Sequence, residues 1–176
     1  MRAPERAAFH PFVPADYAQV RAALLALRPP PGAPRRRFLE WGSATGVITI
    51  MADLVGFEAC GIELDPSLVA AARALAGRHQ SAARFAEGSF LPTGYVWRTP
   101  DGDRRTGTIG EGPSGYLRLG RALDDFDVVF GYPWGGEEPL MHDLMRRYGR
   151  PGALLLLNDA SAGVRPYRDG RPAGMR

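Results

Sequence analysis

The sequence predicts a three-layer α/β fold with a mostly parallel sheet, because short apolar strand patterns alternate with helical patterns along most of the chain. Glycine-containing turns separate several of these segments, and acidic or small polar residues follow the apolar runs. In an open parallel sheet the carboxyl ends of the strands meet at one edge, and ligands bind there where the strand order reverses. The pattern therefore predicts both the fold and the edge that carries its site.

Local signals support each predicted element in turn. Apolar residues recur at helical spacing after Asp16, and a proline run from residue 29 ends that helix. Asp65 and Pro66 are typical of a helix start, as N-cap and first helical residue. The stretch from Thr93 to Gly120 has little periodicity and predicts a long loop close to the site. The predicted elements are a helix that starts within 14–16 and runs to 27, strand 38–41, helix 47–55, strand 59–63, a helix from 66 marked as far as 75, strand 83–86, loop 93–120, strand 127–131, helix 137–148 and strand 152–157.

The 176 residues suit a single domain. We divide it into an N-terminal arm and helix over residues 1–34, an α/β core over 35–157 and an irregular tail over 158–176. Little apolar pattern follows Leu157, so we expect abbreviated C-terminal strands. The N-terminal helix is expected to cover the ligand crevice in compensation.

Composition restricts the function classes. The net charge is +3 and the pI about 9.4, values compatible with a nucleic-acid partner. We do not favour that partner, because all basic residues other than histidine are arginine and this bias is typical of a GC-rich genome. Cys60 is the single cysteine and the histidines are scattered, so we predict no disulfide and no metal site. No apolar run approaches a membrane span, and a cytoplasmic protein is expected.

The first motif is F-L-E-W-G-S-A-T-G, residues 38–46. Gly42 permits a tight turn with close approach of the backbone to a ligand, and Gly46 permits close packing of the following helix. Dinucleotide sites also use glycine turns, so Glu40 is the discriminating residue. Its carboxylate would repel a pyrophosphate at the helix N-terminus and would favour a ligand that carries an amino group.

The second motif is G-I-E-L-D-P, in which Glu63 ends the second predicted strand. A carboxylate at this position accepts hydrogen bonds from ribose hydroxyls, which indicates a nucleoside without saying which one.

Residues 38–90 resemble the class I S-adenosylmethionine-dependent methyltransferases, a Rossmann-like family, through these two motifs and the later F-A-E-G-S-F. The resemblance implies S-adenosylmethionine as cofactor. It assigns the methionine portion to one group of residues, the ribose to Glu63, and the adenine to another group. The first group is Glu40, Gly42, Ser43, Thr45 and Gly46, and the adenine group is Leu64, Gly88, Ser89 and Phe90. Ser89 stands where the family usually has Asp.

The stretch D-V-V-F-G-Y-P-W, residues 127–134, resembles the post-strand motif of amino-methylating members of the family. It implies that Tyr132, Pro133 and Trp134 form the acceptor site, and Glu137 is a candidate base or amine-binding residue. Pro133 and Trp134 fit this motif and suggest a planar or nitrogen-bearing acceptor. Gly131 stands where the motif usually has Asn or Asp, so the side chain that would orient a target nitrogen is missing. Packing of the aromatic residues and a helix-dipole role for Glu137 are the alternatives.

Three functions remain open on the sequence. The first is methyl transfer from S-adenosylmethionine to an unidentified acceptor. The second is a nonenzymatic S-adenosylmethionine-binding or interaction protein, which Ser89 and Gly131 suggest. The third is a nicotinamide-dependent oxidoreductase, which Glu40 opposes. Asn158 and Asp159 follow the last predicted strand and should reach the same crevice.

Overall fold

The computed structural model describes residues 15–96, 112–133, 136–159 and 161–175. Over these ranges the elements alternate as the sequence predicts. The elements are α1 (Tyr17–Leu27), β1 (Arg37–Trp41), α2 (Val47–Leu54), β2 (Glu58–Glu63), α3 (Pro66–Arg78), β3 (Arg84–Glu87), α4 (Gly115–Leu119), a 3₁₀ helix (Leu123–Asp125), β4 (Val128–Gly131), α5 (Glu138–Tyr148), β5 (Leu154–Asp159), β6 (Gly163–Arg168) and β7 (Arg171–Pro172). No helix in the described ranges is long and apolar enough to cross a membrane.

The strands form one sheet in the order β3-β2-β1-β4-β5-β6-β7. Strands β1 to β5 pair in parallel, whereas β6 and β7 are antiparallel. The order reverses between β1 and β4, because the chain first builds outward from β1 to β3 and then places β4 on the other side of β1. The crevice at the carboxyl ends of β1 and β4 is where such a sheet binds ligands.

Helices cover both faces of the sheet. On one face α1 and α2 pack over alternate strand residues such as Phe38 and Leu154, and α3 packs beside α2 over Phe85. On the other face α4 and α5 cover the intervening residues, such as Leu39 and Val129. This division follows from the two-residue period of a strand, whose successive side chains point to opposite faces. The predicted three-layer, Rossmann-like fold with its N-terminal helix is confirmed.

The prediction of an irregular tail over residues 158–176 is wrong. β5 continues to Asp159, and β6 and β7 follow it as antiparallel strands. The turn into β6 forms because the Asp159 carboxylate accepts the backbone N–H groups of Ser161 and Ala162. The Arg165 side chain of β6 contacts the carboxylate of Glu138 on α5 and not an apolar layer, so the strand leaves little hydrophobic pattern. β7 has two residues, and the C-terminal end of the sheet is accordingly short.

The predicted loop over residues 93–120 contains helix α4. Tyr116 and Leu119 anchor this helix in the core, and Gly120 ends it in the left-handed conformation. A helix of five residues is too short to show helical periodicity, which explains why the sequence pattern did not indicate it. Residues 97–111, the centre of that loop, lie outside the described residues.

Candidate functional site

Glu40 lies at the carboxyl end of β1 and is 5% exposed. Its Oε2 accepts the backbone N–H of Thr49 at 2.9 Å and also accepts the Thr49 hydroxyl. Thr49 lies in the first turn of α2, and Gly46 at the N-cap has no side chain. Glu40 therefore supplies the capping acceptor from the neighbouring strand.

Burial raises the pKa of Glu40 to about 8, and the nearby charge of Glu63 adds to the rise, while the hydrogen bonds from Thr49 lower it. A buried carboxyl with such a pKa is stabilised in its ionised form by a nearby cation. The charge state of Glu40 therefore depends on what binds in the crevice.

The turn from β1 into α2 depends on two glycines with positive φ, 66° at Gly42 and 77° at Gly46. A Cβ at Gly46 would lie 2.6 Å from the Phe85 ring and 2.9 Å from the Cβ of Ala72, so only glycine lets α2 pack this closely. A Cβ at Gly42 would meet nothing within 4 Å. Thr45 is half-buried in the same turn. The backbone at Gly42 is thus open to a ligand.

Ser43 is buried beneath this turn at 3% exposure, and its N–H donates to the carbonyl of Ile62 at 3.0 Å. Among the described residues its Oγ has no hydrogen-bond partner. Gly61 makes the space for Ser43, since a Cβ there would lie 2.7 Å from the Ser43 Oγ. A buried hydroxyl without a partner costs about 1–3 kcal/mol. A polar ligand group that reached Ser43 would remove this cost.

Glu63 ends β2 and joins two turns of the crevice. Its Oε2 accepts the N–H of Ala44 at 2.8 Å, and its Oε1 accepts the N–H of Asp65 at 3.0 Å. Ala44 has a φ of 45°, a conformation that costs a residue with a Cβ about 1–2 kcal/mol. The bond to Glu63 helps to hold Ala44 there. Because a carboxylate oxygen accepts more than one hydrogen bond, Glu63 can still bind a ligand hydroxyl.

The turn after β3 forms the next wall of the crevice. Gly88 has a φ of 147°, and a Cβ there would lie 2.6 Å from the carbonyl oxygen of Pro113. The N–H of Ser89 donates to the same carbonyl at 2.9 Å. In the same segment a Cβ on Gly112 would lie 3.2 Å from Leu64. The segment before α4 therefore closes against both Leu64 and the β3 turn.

Ser89 and Phe90, which the resemblance assigns to adenine, use their side chains within the protein. The Oγ of Ser89 accepts the N–H of Leu91 at 3.1 Å and so closes its own turn. Phe90 stacks on Trp41 with ring centroids 5.5 Å apart, within the core under α4 and α5. The Nε1–H of Trp41 donates to the Tyr116 hydroxyl at 2.8 Å. Only the backbone of Phe90 is left for the role that the resemblance implies.

Tyr132 and Pro133, which the resemblance assigns to the acceptor, lie on the other side of the crevice, after β4. Gly131 ends β4, and a Cβ there would lie 2.6 Å from the sulfur of Met141. An amide or carboxylate side chain at this position would require the flexible end of the Met141 side chain to move. Tyr132 and Pro133 follow and are half-buried. Trp134 lies outside the described residues.

Glu137 occupies the N-cap position of α5 and is 2% exposed. Glu138 opens the helix and binds the guanidinium of Arg165 at 2.8 Å. Acidic residues in this position interact favourably with the helix dipole. The position of Glu137 at the N-terminus of α5 agrees with the helix-dipole role that is the alternative to a base or amine-binding role. In sequence, Glu137 follows Pro133 by four residues.

Two residues near the crevice carry no clear sequence signal. Tyr17 begins α1, and its pKa is raised by burial and by the charge of Glu40, which lies nearby. Thr49 contacts Glu40 directly. Tyr17 has one local sequence feature: it directly follows the N-cap Asp16, and the N-terminus of a helix is a common place for ligand binding. The N-terminal helix therefore reaches the crevice from the α2 side.

The chain matches no protein-family model and no curated protein. Solved structures do match. An RNA methyltransferase from Salinibacter ruber, in complex with S-adenosyl-L-homocysteine, has a TM-score of 0.58 at 19% identity, over 82% of this chain and 76% of that one. A precorrin-6y C5,15-methyltransferase from Geobacter metallireducens has a TM-score of 0.53 at 18% identity, over 82% and 63% of the two chains. The YcgJ protein from Bacillus subtilis has a TM-score of 0.52 at 12% identity, over 80% and 50%.

The chain thus spans half to about three quarters of the length of these structures. At such identities the matches concern the fold. The protein has the class I S-adenosylmethionine-dependent methyltransferase fold.

Proposed function

We propose that this chain is a methyltransferase that uses S-adenosylmethionine. The observation that carries the proposal is the pair of carboxylates, Glu40 and Glu63, on either side of the turn over residues 42–46. Burial raises the pKa of Glu40, and a cation bound beside Glu40 would stabilise its ionised form. S-adenosylmethionine carries an ammonium and a sulfonium and has no phosphate.

The same geometry argues against a dinucleotide. A pyrophosphate in this fold binds the free N–H groups at the N-terminus of the first crevice helix. Here Glu40 already accepts the N–H of Thr49 in that turn of α2, so this N–H is not free for a phosphate. The nicotinamide alternative is therefore disfavoured by a specific contact.

The described residues fit the proposed cofactor. The buried Oγ of Ser43 lacks a partner among them, and the backbone at Gly42 faces open space. Glu63 would accept the ribose hydroxyls, and Leu64 would contact the base. The residues around the turn thus offer groups for each part of the cofactor.

The cofactor supplies a methyl group on a positively charged sulfur, which an acceptor takes by in-line displacement. The chain contributes binding and orientation, the main sources of rate in such a reaction. Tyr132 and Pro133, followed in sequence by Trp134, would hold a planar or nitrogen-bearing acceptor on the β4 side of the crevice. Glu137 would bind its amine or accept a proton. A nucleic acid is not favoured as this acceptor.

A nonenzymatic S-adenosylmethionine-binding protein is the second candidate. The glycine at position 131 favours it, because Gly131 ends β4 without a side chain that could orient an acceptor, and Met141 occupies the space beside it.

Calorimetry with S-adenosylmethionine, S-adenosylhomocysteine and NAD tests the proposal. The first two should bind and NAD should not. Glu63→Ala should weaken binding, whereas Glu58→Ala, at the opposite end of β2, should not. Binding of NAD alone would refute the proposal. Transfer of labelled methyl to small-molecule, protein and nucleic-acid fractions would separate an enzyme from a binding protein.

A further inference from the structure

Asn158 is a buried polar residue at the carboxyl edge of the sheet. It lies near the end of β5, is 3% exposed, and is the only asparagine in the sequence. Its backbone pairs with Val164 of β6. Among the described residues its Oδ1 has no hydrogen-bond partner. A buried amide oxygen without a donor is unfavourable, so its presence needs an explanation.

The register of the sheet places Asn158 beside the acceptor segment. Gly131, the last residue of β4, pairs with Leu157, so Asn158 lies one residue further toward the edge, level with Tyr132. Adjacent strands are about 4.8 Å apart, so β5 lies about 10 Å across the sheet from β1. Asn158 therefore lies about 10 Å across the sheet from the strand that carries Glu40, on the β4 side, where we expect an acceptor to bind.

Asn158 also faces the same side of the sheet as Glu40. Leu154 and Leu156 of β5 pack with Phe38 of β1 in one core, and the two-residue period puts Asn158 and Glu40 on that face. Gly131 belongs to the opposite alternation, and Met141 occupies the space beside it. The end of β5 therefore has an amide on the face of Glu40, whereas Gly131 at the end of β4 has no side chain.

We propose that the side-chain amide of Asn158 binds the methyl acceptor through its oxygen, and that the acceptor is therefore an N–H compound. This proposal rests on the proposed function. An N–H that donates to the Asn158 oxygen directs the nitrogen lone pair away from the amide and toward the cofactor. The lone pair forms the bond to the methyl carbon, the carbon–sulfur bond breaks with its electrons left on sulfur, and the nitrogen releases a proton to water.

Sinefungin is a suitable probe, because it has an amine-bearing carbon in place of the methylated sulfur. Labelling the parent protein with ¹⁵N-asparagine would make the side-chain amide of Asn158 the one labelled side-chain amide group, because Asn158 is the only asparagine in the sequence. Sinefungin should shift this signal much more than S-adenosylhomocysteine, which has no group at that place. Equal shifts with the two ligands would overturn the proposal.

Asn158→Leu and Asn158→Asp provide the matched variants. Asn158→Leu should lower sinefungin affinity by about tenfold or more, the effect of losing a hydrogen bond to a charged group, and should leave S-adenosylhomocysteine affinity unchanged. Asn158→Asp should strengthen sinefungin binding and serves as the test if the leucine variant does not fold. A purely structural Asn158 predicts equal changes for both ligands. Failure of the parent to bind S-adenosylhomocysteine would refute the proposed function itself.

Discussion

Glu40 of β1 accepts the backbone N–H of Thr49 in α2 at 2.9 Å, so the strand that leads into the crevice also caps the helix that leaves it. This contact keeps a titratable carboxyl in the core, where burial raises its pKa to about 8. The same carboxyl lies at the edge that would receive a cationic ligand. The stability of the fold and the charge of the crevice are therefore coupled through one residue.

The contribution of Glu40 to stability should fall as the pH rises from about 4.5 through about 8. Its pKa in the folded state lies above its ordinary value of 4.5, so folding favours the protonated form. The contribution is complete below the ordinary pKa and is lost as the pH passes the folded one. Urea denaturation of the parent and of Glu40→Gln at several pH values measures it, since glutamine keeps an acceptor for Thr49 and does not ionise. A difference in unfolding free energy that does not change with pH would contradict this expectation.

Affinity for S-adenosylhomocysteine should rise with pH between about 6 and 8, because its ammonium favours the ionised Glu40 and binding releases a proton. 5′-Methylthioadenosine has no ammonium and should bind with little pH dependence. Calorimetry in buffers of different ionisation enthalpy measures both the affinity and the proton release. Glu40→Gln should remove the pH dependence, and its persistence in this variant would assign it to another group.

Glu63→Ala should weaken S-adenosylhomocysteine binding by on the order of 1.5–3 kcal/mol, the value of hydrogen bonds to a charged acceptor. Part of this loss comes from Ala44, whose positive φ depends on the bond to Glu63. Ala44→Gly relieves that strain and supplies the control. If the double variant Ala44→Gly/Glu63→Ala binds as well as Ala44→Gly alone, Glu63 acts only on the turn and does not contact the ligand.

Gly46→Ala and Gly42→Ala should have different consequences although both residues have positive φ. Each variant loses about 1–2 kcal/mol from the left-handed backbone. Gly46→Ala should lose about 1–3 kcal/mol more from overpacking, because its Cβ meets Phe85 and Ala72. Gly42→Ala should instead lose ligand affinity, because its Cβ would occupy open space that we expect the ligand to fill. Chemical denaturation and calorimetry on both variants distinguish packing from binding, and equal losses of stability would refute the packing argument.

Tyr116→Phe should destabilise the protein by about 1–3 kcal/mol, because it leaves the buried N–H of Trp41 without an acceptor. Tyr95→Phe is the control, because the Asp143 carboxylate that accepts its hydroxyl keeps its ion pairs with Arg146 and Arg147, so no buried group loses its last partner and the loss should be smaller. Thermal melting of the two variants gives the comparison. A Tyr116→Phe variant as stable as the parent would show that Trp41 finds another acceptor.

The order of the core elements could be predicted from the sequence because its signals are local. Asp65 caps α3 as predicted, since an N-cap depends on a few adjacent residues. Glu40 and Glu63 could be placed at strand ends because apolar runs mark the strands. Parallel topology then brings those ends to one edge. The position of the crevice thus follows from sequence periodicity.

Helix α4 and strand β6 could not be predicted in this way. α4 is a single short turn anchored by Tyr116, and β6 is held by the hydrogen bonds of its ladder and by the ion pair of Arg165 with Glu138. Neither leaves a periodic apolar pattern. Their stability comes from partners distant in the chain, which a local signal does not contain.

The sequence by itself determined the fold class, the cap of the third helix and the carboxylates at the ends of β1 and β2, because each depends on neighbours within about one turn or one strand. Only the tertiary structure decided that Phe90 stacks on Trp41, that Met141 fills the space beside Gly131, and that Asn158 is buried at the edge of the sheet. These relationships join residues from different elements, and close packing determines which side chains fit together there.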